Sequence, residues 1–280
     1  MKKINHIARN LMVGGIALAT ALAVSRAAAE NVHQVVQVVR VEGNVQYSTA
    51  GQPFMTAHEG DIYEPGTIIR TAQDSHVDIM LGDESTAKNS IALQRVATES
   101  SGPAGGGGGG GGGLGNEEAT ANMVRIFQMT VLSVDKLMVE RTGNDEVSDT
   151  QLDLRVGQIM SNTKKLSAQS HYEIKIPNGV AGIRGNCNVL SSTSKCASII
   201  GTVMEVLVQP DNTTVSHEIT AKHMYDPGTG RVIDISDKDY DEYVKLYNDL
   251  CRRQPHRPPH HEHDPTKDHD SNLNGTGHHD

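Results

Sequence analysis

The segment YEIKIPNGVAGIRGNCNV, residues 172–189, decides the fold. It reads as a strand with Tyr172, Ile174 and Ile176 on one face, then a Pro177-Asn178-Gly179 turn. A second apolar run follows, punctuated by Gly179, Gly182 and Gly185 around a lone Arg184. Alternation of period two marks a strand, and glycine within a strand marks a corner or a close approach of backbone. A catalytic loop, a phosphate cradle and a tight β-corner all place one arginine among glycines in this way. The rest of the chain has to choose between them.

On both sides of this segment the strand signals continue. Residues 32–49 are valine-rich with short alternations and a Gly43-Asn44 turn, and a short strand is expected at Thr67–Thr71. HVDIML (76–81) alternates as a half-buried strand, with Val77, Ile79 and Leu81 facing one way. IALQRV (91–96) is another short strand. Further on, Thr130, Leu132 and Val134 alternate, as do Leu152, Leu154 and Val156. SIIGTVMEVLVQP (198–210) reads as a buried strand pair, and ITAKHMYDPGTGRVIDI (219–235) as a hairpin around Pro227-Gly228. Turn signals recur about every 10 residues, which indicates an all-β chain of short strands arranged as a solenoid or a sandwich.

One helix is expected, over 236–254. Ser236 is a good N-cap, Asp237 and Asp239 load the first turn, and Arg252 and Arg253 close the end. Tyr240, Val244, Tyr247 and Cys251 form its apolar stripe, joined by Tyr243 and Leu250. The aspartates do not make a calcium loop: its positions six and twelve, glycine and glutamate in that motif, fall on Glu242 and Asn248.

The ends and one interior stretch have other compositions. Lys2, Lys3 and Arg9 precede an apolar run from Leu11 to Val24, and Ala27-Ala28-Ala29 supplies small residues for cleavage. This is the pattern of a secretory signal peptide over 1–29, cut after Ala29, and it implies a periplasmic or otherwise exported protein. A retained anchor is the alternative, and Arg26 keeps it open. The apolar run falls short of the ~20 residues of a span, so no stable membrane insertion of the mature chain is expected. Residues 99–120 carry nine consecutive glycines, 105–113. They read as a flexible interruption of one β domain over 30–235, because no Lys-Ser/Thr follows to make a phosphate loop. Residues 255–280 are rich in His, Pro, Asp and Asn and offer nothing for a core, so a disordered tail is expected.

Charge and chemistry narrow the function. The whole chain carries a net charge of −9. Without residues 1–29 it has 21 basic against 34 acidic residues, a net of −13. Nucleic acid is therefore not an expected partner, and a chain with no tryptophan and two phenylalanines makes a poor stacking platform. There is no H-E-x-x-H and no G-x-S-x-G, and the paired carboxylates lie in polar stretches. The chain is accordingly read as no enzyme, with no catalytic residue and no required cofactor.

Two chemical features stand out. Seven of the fourteen histidines, His256, His260, His261, His263, His269, His278 and His279, lie in the tail, where they could ligate a divalent transition metal, Zn, Ni or Cu. The three cysteines leave two readings open. Either Cys187 and Cys196 close a small hairpin-like loop as a disulfide, with Cys251 left over, or all three are small apolar fillers.

Two stretches together resemble the FecR-type domain, the periplasmic module of ferric-citrate-regulator proteins. The first, GDIYEPGTIIRTAQDSHVDIMLGDES, has Gly60-Asp61, Arg70-Thr71 and the corner Asp83-Glu84-Ser85, with Glu84 where the family usually has glycine. The second is similar to the family's Pro-x-Gly-Val-Ala-x-Ile-Arg-Gly-Thr segment. Here it is Pro177, Gly179, Val180, Ala181, Ile183, Arg184 and Gly185, with Asn186 in place of threonine. The resemblance covers roughly 40–220 and implies a solenoid-like β-module of tight corners. In such a module the glycines make room for backbone, and Arg184 offers its guanidinium to carbonyls or a carboxylate; a ligand anion is the alternative for Arg184. Sensor members of the family add a cytoplasmic sigma-regulating segment and a span, which this sequence lacks, so their relay is not carried over. The expectation is an exported binding or sensing module that meets a protein or envelope partner through strand edges or corner loops. Metal sequestration or sensing by the tail is the alternative, and an envelope enzyme with an unrecognised site is the second alternative.

Overall fold

The computed structural model describes residues 30–49, 51–85, 121–142 and 145–252. The signal peptide expected over 1–29, the strand expected at 91–96, the glycine-rich stretch and the histidine-rich tail lie outside the described residues. Wholly within the described residues, nineteen strands and one helix follow the chain in order. They are β1 (Glu30–Val32), β2 (Gln34–Glu42), β3 (Val45–Thr49), β4 (Met55–Thr56), β5 (Ile62–Tyr63), β6 (Thr67–Thr71), β7 (His76–Asp83), β8 (Asn122–Ile126), β9 (Val131–Thr142) and β10 (Asp145–Val156). Then come β11 (Gln158–Asn162), β12 (His171–Ile176), β13 (Gly179–Ile183), β14 (Cys187–Ser191), β15 (Cys196–Ile200), β16 (Thr202–Val208), β17 (Thr214–Thr220), β18 (His223–Asp226), β19 (Arg231–Asp234) and the helix α1 (Asp237–Cys251).

The strands form two sheets. Sheet A runs β17-β16-β13-β12-β10-β9-β6-β3-β4, with β1 also on β9, and sheet B runs β19-β18-β15-β14-β11-β8-β7-β2-β5. From β7 onward the chain alternates between the sheets, mostly one hairpin at a time, so the strands are laid down from one end of the sandwich to the other in chain order. Nearly every pairing is antiparallel; β10 and β12 pair in parallel because β11 is spent in sheet B between them. Of the two expected architectures this is the sandwich, two sheets with its later strands added in chain order.

Period-two alternation explains the main core. Val36, Val38, Val77, Ile79, Val124, Ile126 and Ile159 of sheet B face Ile69, Leu132, Leu152, Leu154 and Ile174 of sheet A in one buried cluster. The outer face of sheet A is solvated and carries exposed ion pairs such as Lys175–Asp135 and Arg155–Asp153. The outer face of sheet B is not solvated, and here one expectation is corrected. HVDIML is buried on both sides: Val77, Ile79 and Leu81 point inward, while Asp78 and Met80 are buried on the opposite face. Helix α1 packs on β8, β11 and β15 and makes a second core there with Met80, Met123, Met160, Val189, Ala197 and Ile199. Its N-cap, first-turn and apolar-stripe signals hold, whereas no basic residue falls in its last turn: Arg252 is the C-cap and Arg253 lies outside the described residues. Ser236 caps it by accepting from the Asp239 amide at 3.2 Å, and Tyr247 and Leu250 are its buried residues. Its last helical residue is Cys251, so the expected 236–254 was slightly long.

Candidate functional site

Two residues singled out by the sequence, Arg184 and Gly185, lie at a crossing between the two sheets. The chain passes from β13 to β14 through Arg184, Gly185 and Asn186, and from β15 to β16 through Gly201. Gly185 and Gly201 touch there: a Cβ on Gly185 would lie 2.5 Å from the Gly201 Cα, and Gly201 has φ +94°. No side chain fits at either position. Gly179 is equally constrained, since its Cβ would fall 2.2 Å from the Val206 carbonyl oxygen of β16. Gly182 is different; a Cβ there would be 3.7 Å from the Met204 oxygen, an ordinary contact, so space does not demand glycine. Pro177 and Asn178 form the β12–β13 turn, and the Asn178 carbonyl accepts from the Val208 amide at 2.8 Å.

Arg184 itself is exposed, but it is tied into this crossing. Its Nη1 donates to the Ser170 carbonyl at 2.7 Å, and its backbone amide to the Thr202 carbonyl at 2.9 Å. Thr163 adds a short side-chain bond to the Gly185 carbonyl. The motif is thus a corner built from glycines, with an arginine that satisfies a loop carbonyl.

Two further groups were not singled out by the sequence reading. The first is the seam between α1 and sheet B. Arg125 lies directly across from Asp78 on the neighbouring strand and holds it with two bonds of 2.7 Å, from Nε and Nη2. Arg125 Nη2 also reaches Asp249 of α1 at 2.8 Å, and Arg40 Nη1 reaches the same oxygen at 3.2 Å. A bulge in β2 between Val38 and Arg40 brings Arg40 level with Asp78. Arg40 pairs with Glu42 in turn, and Glu42 with His76 at 3.4 Å. Burial works against the Arg125 charge, but the bonds to Asp78 and the charges of Asp78 and Asp249 outweigh it and hold its pKa above the ordinary value. Burial lowers His76, and the nearby Arg125 and Arg40 add to that against Asp78. One signal existed in sequence: Asp78 and Arg125 are lone charges inside apolar runs.

The second group lies inside the C-terminal end of the sandwich. Glu205 of β16 points into the core between Val203 and Leu207 and is fully buried. Neither carboxylate oxygen has a hydrogen-bond partner among the described residues. Burial pushes its carboxyl up to about 8. Its cross-strand neighbours are Ala181 and His217. From sheet B, Cys196 and Tyr225 are cross-strand partners in the same core, and the Tyr225 ring stacks on His217 at 4.3 Å. Burial, and then Glu205, push up both the Cys196 thiol and the Tyr225 hydroxyl. Beside this group an open cleft of about 360 Å³ is lined by Asn178, Ser194, Leu207, Gln209, Tyr225 and Pro227.

This end is also where both sheets stop. Among the described residues β17 pairs only with β16, and β19 only with β18. Val215 on β17, and Val232 and Ile233 on β19, are exposed. At the opposite end the terminal strands β4 and β5 are two residues each. Very short terminal strands blunt an edge, whereas longer bare ones with apolar side chains invite another strand.

Of the two readings left open for the cysteines, the Cys187–Cys196 bridge is not formed. Cys187 belongs to the helix-side core and Cys196 to the inner core, so the two thiols point to opposite faces of sheet B, and a disulfide needs converging Cβ vectors. The histidines at 256, 260, 261, 263, 269, 278 and 279 lie outside the described residues. Among the described residues no group of three or more His, Cys, Asp or Glu is placed to hold a metal ion, and no helix is long and apolar enough to cross a membrane. Compared with known proteins, the chain matches no family model, no curated protein and no solved structure.

Proposed function

We propose that the chain is an exported, FecR-type, non-enzymatic binding or sensing module that takes a protein or envelope partner at the C-terminal end of its sandwich. The observation that carries this reading is the asymmetry of the ends, two-residue strands at one and, at the other, the longer bare β17 and β19 with Val215, Val232 and Ile233 exposed. A partner strand added to such an edge gains main-chain hydrogen bonds, and side-chain contacts supply the specificity. Val215→Lys with Ile233→Lys tests it, because a lysine on an edge strand opposes strand addition. In native envelope extracts the wild-type chain should migrate in a complex larger than itself. The double variant, folded by circular dichroism, should migrate alone. A variant that stays in the complex would overturn the proposal.

Metal sequestration or sensing by the tail is the second reading, and it is carried by the seven histidines within 256–279. Calorimetric titration of Zn²⁺, Ni²⁺ and Cu²⁺ should show binding to the chain and none to a chain ending at Gln254. Equal binding by both would end this reading.

A further inference from the structure

Cys187 and Cys251 share one neighbour, Asn162, under the last turn of the helix. Cys187 lies on the helix-side face of sheet B, directly across from Asn162 of β11. Side chains paired in this way have Cβ atoms about 4.5–5.5 Å apart. The Asn162 amide nitrogen in turn donates to the Cys251 sulfur at 3.1 Å. One fully buried side chain therefore touches one sulfur and stands beside the other, and both cysteines pack in the same helix-side core. Burial raises the Cys187 thiol well above its ordinary range, and Cys251 is near enough to add to the effect.

We propose that Cys187 and Cys251 are a disulfide-forming pair, an oxidative modification site that staples the end of α1 to sheet B. The oxidant is a disulfide, either a small molecule or the disulfide of a thiol oxidase. Cys251 is partly exposed and reacts first. Its thiolate attacks one sulfur of the oxidant and bonds to it as a mixed disulfide on Cys251, while the oxidant's other sulfur leaves as a thiolate and takes up a proton. Cys187 then loses its proton and attacks the Cys251 sulfur, and the second thiol of the oxidant leaves. Two protein thiols are oxidised by two electrons and one disulfide is reduced to two thiols. Because Cys187 is buried, this second step waits for the helix end to loosen, so closure is slower than exchange at an exposed pair.

The experiment uses the full chain with oxidised glutathione as the probe, followed by alkylation, digestion and mass mapping. The expected product has lost the mass of two hydrogens and yields one linked peptide joining Cys187 to Cys251. The closed loop is long, so the oxidised form should melt on the order of 5–10 °C above the reduced form. Cys251→Ser, which alters a partly exposed position, should abolish both effects. Cys196→Ala should leave the linked peptide intact. Glutathione retained on Cys251 while Cys187 alkylates after unfolding would overturn the proposal, as would a linked peptide containing Cys196.

Discussion

Among the described residues two carboxyls are fully buried, and their surroundings differ in kind. Asp78, in the seam under the helix, receives two 2.7 Å bonds from Arg125, which also binds Asp249 of α1. Glu205, at the C-terminal end of the sandwich, has no hydrogen-bond partner among the described residues and faces a small Ala181, a stacked His217–Tyr225 pair and a thiol. A buried charge costs several kcal/mol unless it is paired or neutralised. The seam uses pairing and the end uses neutralisation. The comparison shows where the fold is locked and where it keeps a weakness. That weakness lies beside the bare edges proposed to meet a partner.

The comparison can be broken most strongly at Arg125. Arg125→Met leaves Asp78 buried without its arginine and should lower stability by about 3–5 kcal/mol in urea unfolding, whereas Asp78→Leu combined with Arg125→Met should recover most of it. If the single and double variants lose the same amount, the seam is held by apolar packing alone.

Glu205 should behave in the opposite way and declare itself through pH. Its folded pKa, about 8, lies above its ordinary value of 4.5, so the folded state holds the proton more tightly than the unfolded state. The associated stability is fully present below pH 4.5 and is lost as pH rises to about 8, with a slope of about 1 kcal/mol per pH unit in between. Glu205→Gln should remove that slope, and at pH 8 should leave the variant more stable than the wild type. Identical pH profiles for the two proteins would place Glu205 in contact with solvent.

The crossing that joins the two regions comes next in size. Gly185→Ala should cost about 1–3 kcal/mol because its Cβ meets the Gly201 backbone. Gly182→Ala, with room for a Cβ, should fall within about 0.5 kcal/mol of the wild type. Arg184→Ala should cost about 1 kcal/mol through its lost bond to the Ser170 carbonyl. Thermal melts of the three variants give the order, and a Gly182 variant as damaged as Gly185 would contradict the steric account of the motif.

Much of this was legible in sequence. Alternation marked the strands because each inner face is apolar, and Ser236, the two aspartates and the tyrosine stripe marked the helix. Glycine and arginine spacing left a corner as one of three readings, which the family resemblance favoured, and Gly201, fifteen residues from the motif, gave no sign that it touches Gly185. The layer under the helix was not legible. A period-two strand looks the same whether its second face meets water or a helix; only Asp78, set among apolar neighbours, hinted at the difference. Glu205 was equally hidden, because in TVMEVLV it sits at a core position that nothing local distinguishes from a surface one. The cysteines stayed undecided for a related reason. Proximity in sequence suggested Cys187 with Cys196, but a separation of nine residues across a hairpin says little about facing, and the strand register turns the two thiols apart.

The central claim is that the C-terminal end is the interaction end, and site-specific photocrosslinking in the native envelope tests it most directly. A photoreactive residue would be placed at Val215 or Val232 on the bare edges, and at Met55 on β4 at the opposite end. The account predicts a discrete high-mass adduct from Val215 and Val232 and none from Met55. An adduct from Met55, with both edge positions silent, would contradict it.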